Sequence, residues 1–535
     1  MKNYRLKTGG RIVIFALILA IIGGIGALVV NKTGVLEDVM SSSSQTTDKT
    51  NSNSSATDKK PGNSNKPSNT SKPTTSSKPE DTIYLSIDEW PGFIPIIDAN
   101  GGYTTQPGSI FANKGINVEI NIINDPTESS NAFITGDLNA AGYTLNRIAF
   151  LSDKFSTAGT DIVVPIFTNY SAGADGIIAK TGINNVTDMV GKKIGVPRYS
   201  EAQSLVIWFV NNSDLSENEK RDIIDNLILF DDASAVGEAF YAGQLDIAGT
   251  WEPYLSYATN STDARVMFST KASRTLIMDA ITFRADFAEQ YPDTVAAFMD
   301  GVFEANAKET YDFDVIREVM PMFAESSDQD ILDNLADAEM VSWAENKRAL
   351  KTDAPSMYAQ MCGIWESIGE SPNRKMGLSI FDMSYNDMIA GNHSATIIED
   401  SNKIKVTDEN RQELTDYKSM LTKSSTVDFV PDTSEFLAPN EAYEILDDFI
   451  EIAKVLDGAI IQIEGNINAS TYSESGVKLS LNRANAVADY FIMNGIDPDR
   501  IITVGNGNTK MLAEIGSGNE QLNRRTDVFF KIVED

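Results

Sequence analysis

Hydrophobic and polar positions divide the chain into sharply different stretches. Met1 to Arg11 holds Lys2, Arg5, Lys7 and Arg11 and no acid, and the run Ile12–Val30 that follows carries no charge at all. About twenty apolar residues span a bilayer as a helix, with the basic flank on the cytoplasmic side. The pattern predicts a cytoplasmic basic segment (1–11) and a transmembrane anchor (12–30). A cleaved leader shares the basic and apolar parts. Against it stand the length of the run and the lack of an Ala-x-Ala site, and no cysteine follows that could carry a lipid. From Ser41 to Glu80 the text is Ser, Thr, Asn, Lys and Pro with almost nothing apolar. Such a stretch cannot offset its ordering entropy by burial, so 31–81 is expected to be a disordered tether.

Periodic patterns begin at Thr82. Ile83, Leu85 and Ile87 alternate with Tyr84, Ser86 and Asp88, and Trp90-Pro91-Gly92 stops the alternation, the mark of a strand ended by a turn. Val118–Ile123, Ile162–Phe167, Gly176–Ala179, Ile194–Val196 and Ile277–Phe283 read as further strands. Ser204–Asn211 and Ala233–Ala242 read as helices between them. Alternating strands and helices predict an α/β fold with mostly parallel sheets, long enough over 82–395 for two lobes. A polar segment (396–425) leads to a second globular unit (426–535). Its pattern is strand 427–429, helix 440–456, strand 459–464, helix 480–494, strand 501–504 and strand 526–533, an α+β sandwich.

Charge and rare residues narrow the chemistry. The 535 residues include 76 acids against 44 bases, a formal charge of −32. Nucleic acid is excluded as a partner, because binding it needs a basic footprint. The single cysteine, Cys362, forbids an intrachain disulfide and a thiolate zinc site. The single histidine, His393, would have to carry any Ser-His-Asp mechanism alone; in Gly-Asn-His-Ser at a domain end it reads as solvated. No catalytic residue, metal ligand or cofactor is expected, and the chain is not expected to be an enzyme.

Four motifs in order carry a resemblance. They are Trp90-Pro91-Gly92, Gly136-Asp137-Leu138-Asn139-Ala140-Ala141, the stretch Val186–Pro197 (VTDMVGKKIGVP), and Gly243-Gln244-Leu245-Asp246 followed by Trp251-Glu252-Pro253. Thr82 to Gly391 resembles ABC-type substrate-binding proteins of the nitrate, taurine, sulfonate and thiamine-precursor class. The resemblance implies an α/β two-lobed periplasmic-binding-protein-like domain, with lobe two at about 181–274, that closes on a small molecule. Ligands of open α/β sheets lie beyond the carboxyl ends of strands, near helix N-termini. That places Trp90, Pro91, Tyr143, Thr144, Ser200, Glu201, Trp251 and Glu252 as candidate ligand contacts. Thr144 and Ser200 also read as helix caps. Glu201 would repel a sulfonate or nitrate, which leaves an amine-bearing or neutral ligand open. Enzymes of thiamine-precursor synthesis on this fold rely on histidine chemistry that His393 alone does not supply.

The C-terminal unit carries a second resemblance. Ile461-Gln462-Ile463-Glu464-Gly465, the run Leu479–Val487 (LSLNRANAV), Gly505-Asn506-Gly507 and Asn523-Arg524-Arg525 resemble the OmpA/MotB-type peptidoglycan-binding domain. The family pairs an arginine, matched by Arg483, with an aspartate that falls here on Asn468. An amide supplies no charge to the diaminopimelate ammonium, and charge-assisted hydrogen bonds are about twice as strong as neutral ones. Wall binding is therefore expected to be weakened or altered. Arg524 and Arg525 read as structural or surface residues. Together the parts imply a single-pass, membrane-anchored, extracytoplasmic solute-binding protein held at peptidoglycan, with an ABC permease as a further candidate partner. The alternative is a membrane-to-wall scaffold or sensor whose lobes contact a protein or have lost their ligand.

Overall fold

The first strand is buried along its whole length, Tyr84 and Ser86 included, so both faces of its sheet are covered, as in α/β layers. The structure is a computed structural model that describes residues 80–396, 404–417, 419–425 and 427–531. All belong to the unit Ser77–Asp535. The expected basic segment, span and nearly all of the tether lie outside the described residues. Among the described residues no helix is long and apolar enough to cross a membrane.

Eleven strands build two lobes: β1 (Ile83–Ile87), β2 (Val118–Ile122), β3 (Ala140–Thr144), β4 (Ile162–Ser171), β5 (Asp175–Lys180), β6 (Ile194–Pro197), β7 (Ile228–Phe230), β8 (Ile247–Trp251), β9 (Ala264–Ser269), β10 (Met278–Arg284) and β11 (Ala338–Met340). The first sheet has the order β11-β4-β10-β3-β1-β2 and the second β7-β6-β8-β5-β9. The sheets are mixed rather than mostly parallel. β1, β2 and β3 run parallel, while β10 is antiparallel to β3 and β4. The reason is topological. The chain crosses between lobes at Ser171–Asp175 and back at Ser269–Met278, and each crossing strand enters its sheet against the others. β5 therefore sits in the second sheet, which starts earlier than the expected boundary at 181.

The C-terminal sheet is β12 (Leu421–Ser425), β13 (Ile460–Gly465), β14 (Ile501–Gly505) and β15 (Thr526–Lys531), in the order β12-β15-β13-β14. The edge strand lies at 421–425, inside the segment expected to be linker. The stretch expected as a strand near 427–429 forms only an isolated bridge, Phe429 to Phe436. Helices Pro439–Val455 and Glu474–Met493 pack Leu446, Phe449, Val487 and Phe491 against Ile461, Ile463 and Phe530. On the other face, Leu414 of the short helix Arg411–Asp416 packs with Ile460 and Ile502.

This unit is seated on the return crossing. The Gly458 N–H donates to Ala272 O at 3.0 Å, and the Arg274 N–H to Asp457 Oδ1 at 3.1 Å. The Ser424 N–H donates to Asp214 Oδ1 of lobe two at 2.7 Å. A Cβ on Gly458 would stand 2.7 Å from the Lys271 carbonyl oxygen, so the approach needs glycine.

Candidate functional site

Strand register assembles one wall of the cleft. Asp279 pairs with Thr144 on one side and Asn169 on the other, so three separate segments meet at one end of the inner strands. The loop after β1 adds Asp88 and Trp90. The Trp90 indole N–H donates to Asn169 Oδ1 at 2.8 Å, and its backbone N–H to Asp88 Oδ1 at 3.3 Å. The Trp-Pro-Gly sequence has a local reason. A Cβ on Gly92 would fall 2.3 Å from both Asn169 Oδ1 and Trp90 Nε1, and Asn169 Nδ2 donates to the Gly92 carbonyl at 3.1 Å.

Two helices point their N-termini into the same region, one from each lobe. Thr144 caps helix Leu145–Ala158, its hydroxyl oxygen accepting from the Arg147 N–H at 3.1 Å. The same hydroxyl donates to Glu201 Oε1 at 2.7 Å, so Thr144 is both cap and site residue. Glu201 opens helix Glu201–Asn211 in lobe two. Arg147 grips its carboxylate through Nε at 3.1 Å and Nη2 at 3.0 and 2.8 Å. Ser200 acts as a buried cap, accepting from the Gln203 N–H at 3.1 Å and donating to Pro197 O at 2.7 Å.

The crossings bring in Asp175, which pairs with Trp251 and accepts from the Ser171 hydroxyl at 2.8 Å. Asp279 lies close enough to feel the carboxylates of Asp88, Glu201 and Asp175, and Glu201 also acts on Asp88 and Asp175, while Arg147 acts on Asp88 and Glu201. Burial pushes the Asp175 carboxyl up to about 7, and it raises Asp279 well above its ordinary value. Asp88 keeps an exposed surface, yet the protein walls around it push its carboxyl up to about 6, against the pull of Arg147. Glu201 is held below its ordinary value, its burial outweighed by Arg147 and Thr144. Glu252 accepts from the Ser256 N–H at 3.0 Å and hydroxyl at 2.9 Å. Burial raises its carboxyl, and the two hydrogen bonds from Ser256 offset that only in part.

The remaining predicted contacts differ in placement. Pro91 is buried in the turn Pro91–Phe93. Tyr143 is buried with its hydroxyl 2.9 Å from Ser129 Oγ, so it braces the wall. Trp251 is half-buried at the end of β8. Sequence reasoning missed Asp88, Arg147, Asn169, Asp175 and Asp279. The available signals were Asp88 directly after β1 and Arg147 three residues past a capping threonine. His393, expected to be solvated, is instead tied to Asp300 Oδ1 at 2.8 Å and packed by Phe303 and Trp343. A separate shallow recess of about 550 Å³, lined by Asp125, Glu128, Asn131 and Thr135, includes none of these residues.

In the C-terminal unit both expected wall contacts have partners inside the chain. Asn468 Oδ1 accepts from Asn523 Nδ2 at 3.0 Å, and Asn523 Oδ1 also holds the Leu512 N–H at 2.7 Å. Arg483 donates from Nε to Thr433 O at 3.0 Å and lies 4.9 Å over the Phe429 ring. Asn466 and Asn506 join Glu464 and Asp527 in one buried polar network, which the exposed Lys510 closes from outside through Glu464. Arg525 pairs with Asp527 at 2.9 Å and Arg524 is exposed.

Two α/β lobes joined by two crossings, with polar loops converging between them, define a periplasmic-binding-protein-like fold. Residues 98–308 match the NMT1/THI5 like family, and residues 428–525 match the OmpA family. The chain thus joins an NMT1/THI5-like domain to an OmpA domain. Solved structures similar to it include the periplasmic aliphatic sulphonate binding protein SsuA from Escherichia coli, with 14% identity and a TM-score of 0.45 over 57% of this chain and 99% of that one. The alkanesulfonate-binding protein SsuA from Xanthomonas axonopodis pv. citri bound to MOPS has 18% identity and a TM-score of 0.40, over 54% and 95%. The periplasmic nitrate-binding protein NrtA from Synechocystis PCC 6803 has 12% identity and a TM-score of 0.42, over 59% and 90%. No curated protein matches the chain.

Proposed function

We propose that this chain is a membrane-anchored, extracytoplasmic solute receptor whose interlobe cleft takes a small solute bearing an amine or other cationic group. The observation that carries the reading is the gathering of four carboxyls between the lobes, Asp88, Asp175, Asp279 and Glu201, of which Arg147 acts on Asp88 and Glu201. A sulfonate or nitrate would meet repulsion there, whereas a cation would relieve it and Trp90 would offer an aromatic face. The reading is of a binding protein rather than an enzyme. His393 is committed to Asp300, and burial pushes the Cys362 thiol up to about 11, away from a reactive thiolate. The C-terminal unit positions the receptor at peptidoglycan, and a permease that receives the solute completes the assembly.

The test is thermal unfolding of the full chain against a panel of diamines, quaternary ammonium compounds, amino acids, taurine, alkanesulfonates and nitrate. A ligand at a hundred times its Kd adds about 2.7 kcal/mol. A shift with a cationic compound and none with the anions supports the reading; the reverse pattern overturns it. The scaffold reading has its own observation. Tyr472 and Leu512 are 63% and 65% exposed on the segments flanking the Asn468–Asn523 bond, apolar surface better suited to a protein contact than to a charged stem peptide.

A further inference from the structure

Glu201 belongs to lobe two, yet its carboxylate is used by lobe one. Its two oxygens take the guanidinium of Arg147 through Nε and Nη2 at 2.8–3.1 Å and the Thr144 hydroxyl at 2.7 Å. The Arg147 and Glu201 side chains are only 18% and 13% exposed. A forked guanidinium with a hydroxyl beside it is the donor set with which proteins hold a free carboxylate or sulfonate. The contact does not stand alone across the lobes. Asn146 Nδ2 donates to Ser204 Oγ at 2.8 Å, and the Phe150 and Tyr199 rings stack at 4.6 Å.

We propose that Glu201 is a tethered ligand: it occupies the anion-accepting position of the cleft and ties the lobes together through it, so the receptor refuses anionic solutes. The proposal rests on the cleft being the solute site. A buried ion pair brings little net stability for its desolvation cost, so its effect here lies in specificity. With Arg147 and Thr144 already occupied, a solute addresses Asp88, Asp175 and Asp279. Removing the Glu201 carboxylate leaves Arg147 and Thr144 free for an external anion.

The experiment is calorimetric titration of the full chain with ethanesulfonate. The natural protein is expected to give no binding at millimolar concentration. Glu201→Ala is expected to bind at least tenfold more tightly than that limit, and Arg147→Met in the same background to abolish the gain. Glu201→Ser, a short residue suited to a first helical turn, repeats the test if the alanine variant does not fold. A folded Glu201 variant that binds no ethanesulfonate overturns the proposal, as does equal binding by the natural protein. Failure of the receptor reading is distinguishable. Gained anion binding without any amine binding by the natural protein refutes the cationic-solute reading and keeps the tether. Amine binding without the gain does the opposite.

Discussion

Asp175→Asn tests whether the acids between the lobes are held at a cost. Asp175 is 7% exposed, and burial pushes its carboxyl from 3.8 to about 7, with Glu201 and Glu252 adding to the rise. A carboxyl raised on folding binds its proton more tightly in the native state, so stability falls as pH climbs from the unfolded value toward the folded one. At about 1.4 kcal/mol per tenfold ratio, the deficit is about 2 kcal/mol at pH 5 and about 4 kcal/mol at pH 8 as an upper bound. Asparagine keeps an oxygen for the Ser171 hydroxyl and cannot ionise. Urea unfolding of both proteins from pH 5 to pH 8 should therefore show the variant's advantage growing by about 2–3 kcal/mol. An advantage that is flat across pH, or that shrinks toward pH 8, refutes the claim that Asp175 is ionised against its environment. The variant should also lose affinity for a cationic solute, the usual exchange of stability for function.

Other perturbations address separate links. Gly92→Ala drives a methyl into the Trp90–Asn169 hydrogen bond. It should destabilise by about 1–3 kcal/mol in urea unfolding and weaken solute binding. Gly458→Val puts a side chain against the Lys271 carbonyl and should split the calorimetric unfolding of the full chain into two transitions. A single unchanged transition would mean the Asp457–Gly458 turn is not what holds the units together. Asn468→Asp keeps the bond from Asn523 while restoring an anion, and should increase cosedimentation with diaminopimelate-containing peptidoglycan. No increase would favour the protein-contact reading of this surface.

The secondary structure near the cleft was legible because it is local. Ile83–Ile87 alternates, Trp-Pro-Gly stops it, and Thr144 and Ser200 sit where capping residues belong. The charge of the cleft was not legible. Asp88, Asp175 and Asp279 come from segments far apart in sequence, and only the folded topology gathers them: the loop after β1, the crossing into β5, and the antiparallel return of β10 beside β3 and β4. Helix Glu201–Asn211 begins before the expected Ser204, because Ser200 rather than a hydrophobic repeat sets its start. Likewise Ser473 caps the long C-terminal helix by accepting from the Gly476 N–H, several residues before the apolar pattern becomes visible. β12 escaped notice because Leu421–Ser425 is polar apart from its first residue, and an edge strand needs only one partner, here β15.

Calorimetric titration of the full chain with 1,4-diaminobutane and with ethanesulfonate at pH 6 and pH 8 decides whether the cleft takes cations. The carboxyls of Asp88, Asp175 and Asp279 are all raised, so near pH 6 a cation must displace protons from them. Diamine binding is expected to tighten from pH 6 to pH 8, with proton release at pH 6, and ethanesulfonate is expected to bind at neither pH. Ethanesulfonate binding, or diamine binding that weakens as pH rises, would contradict the cationic-solute reading.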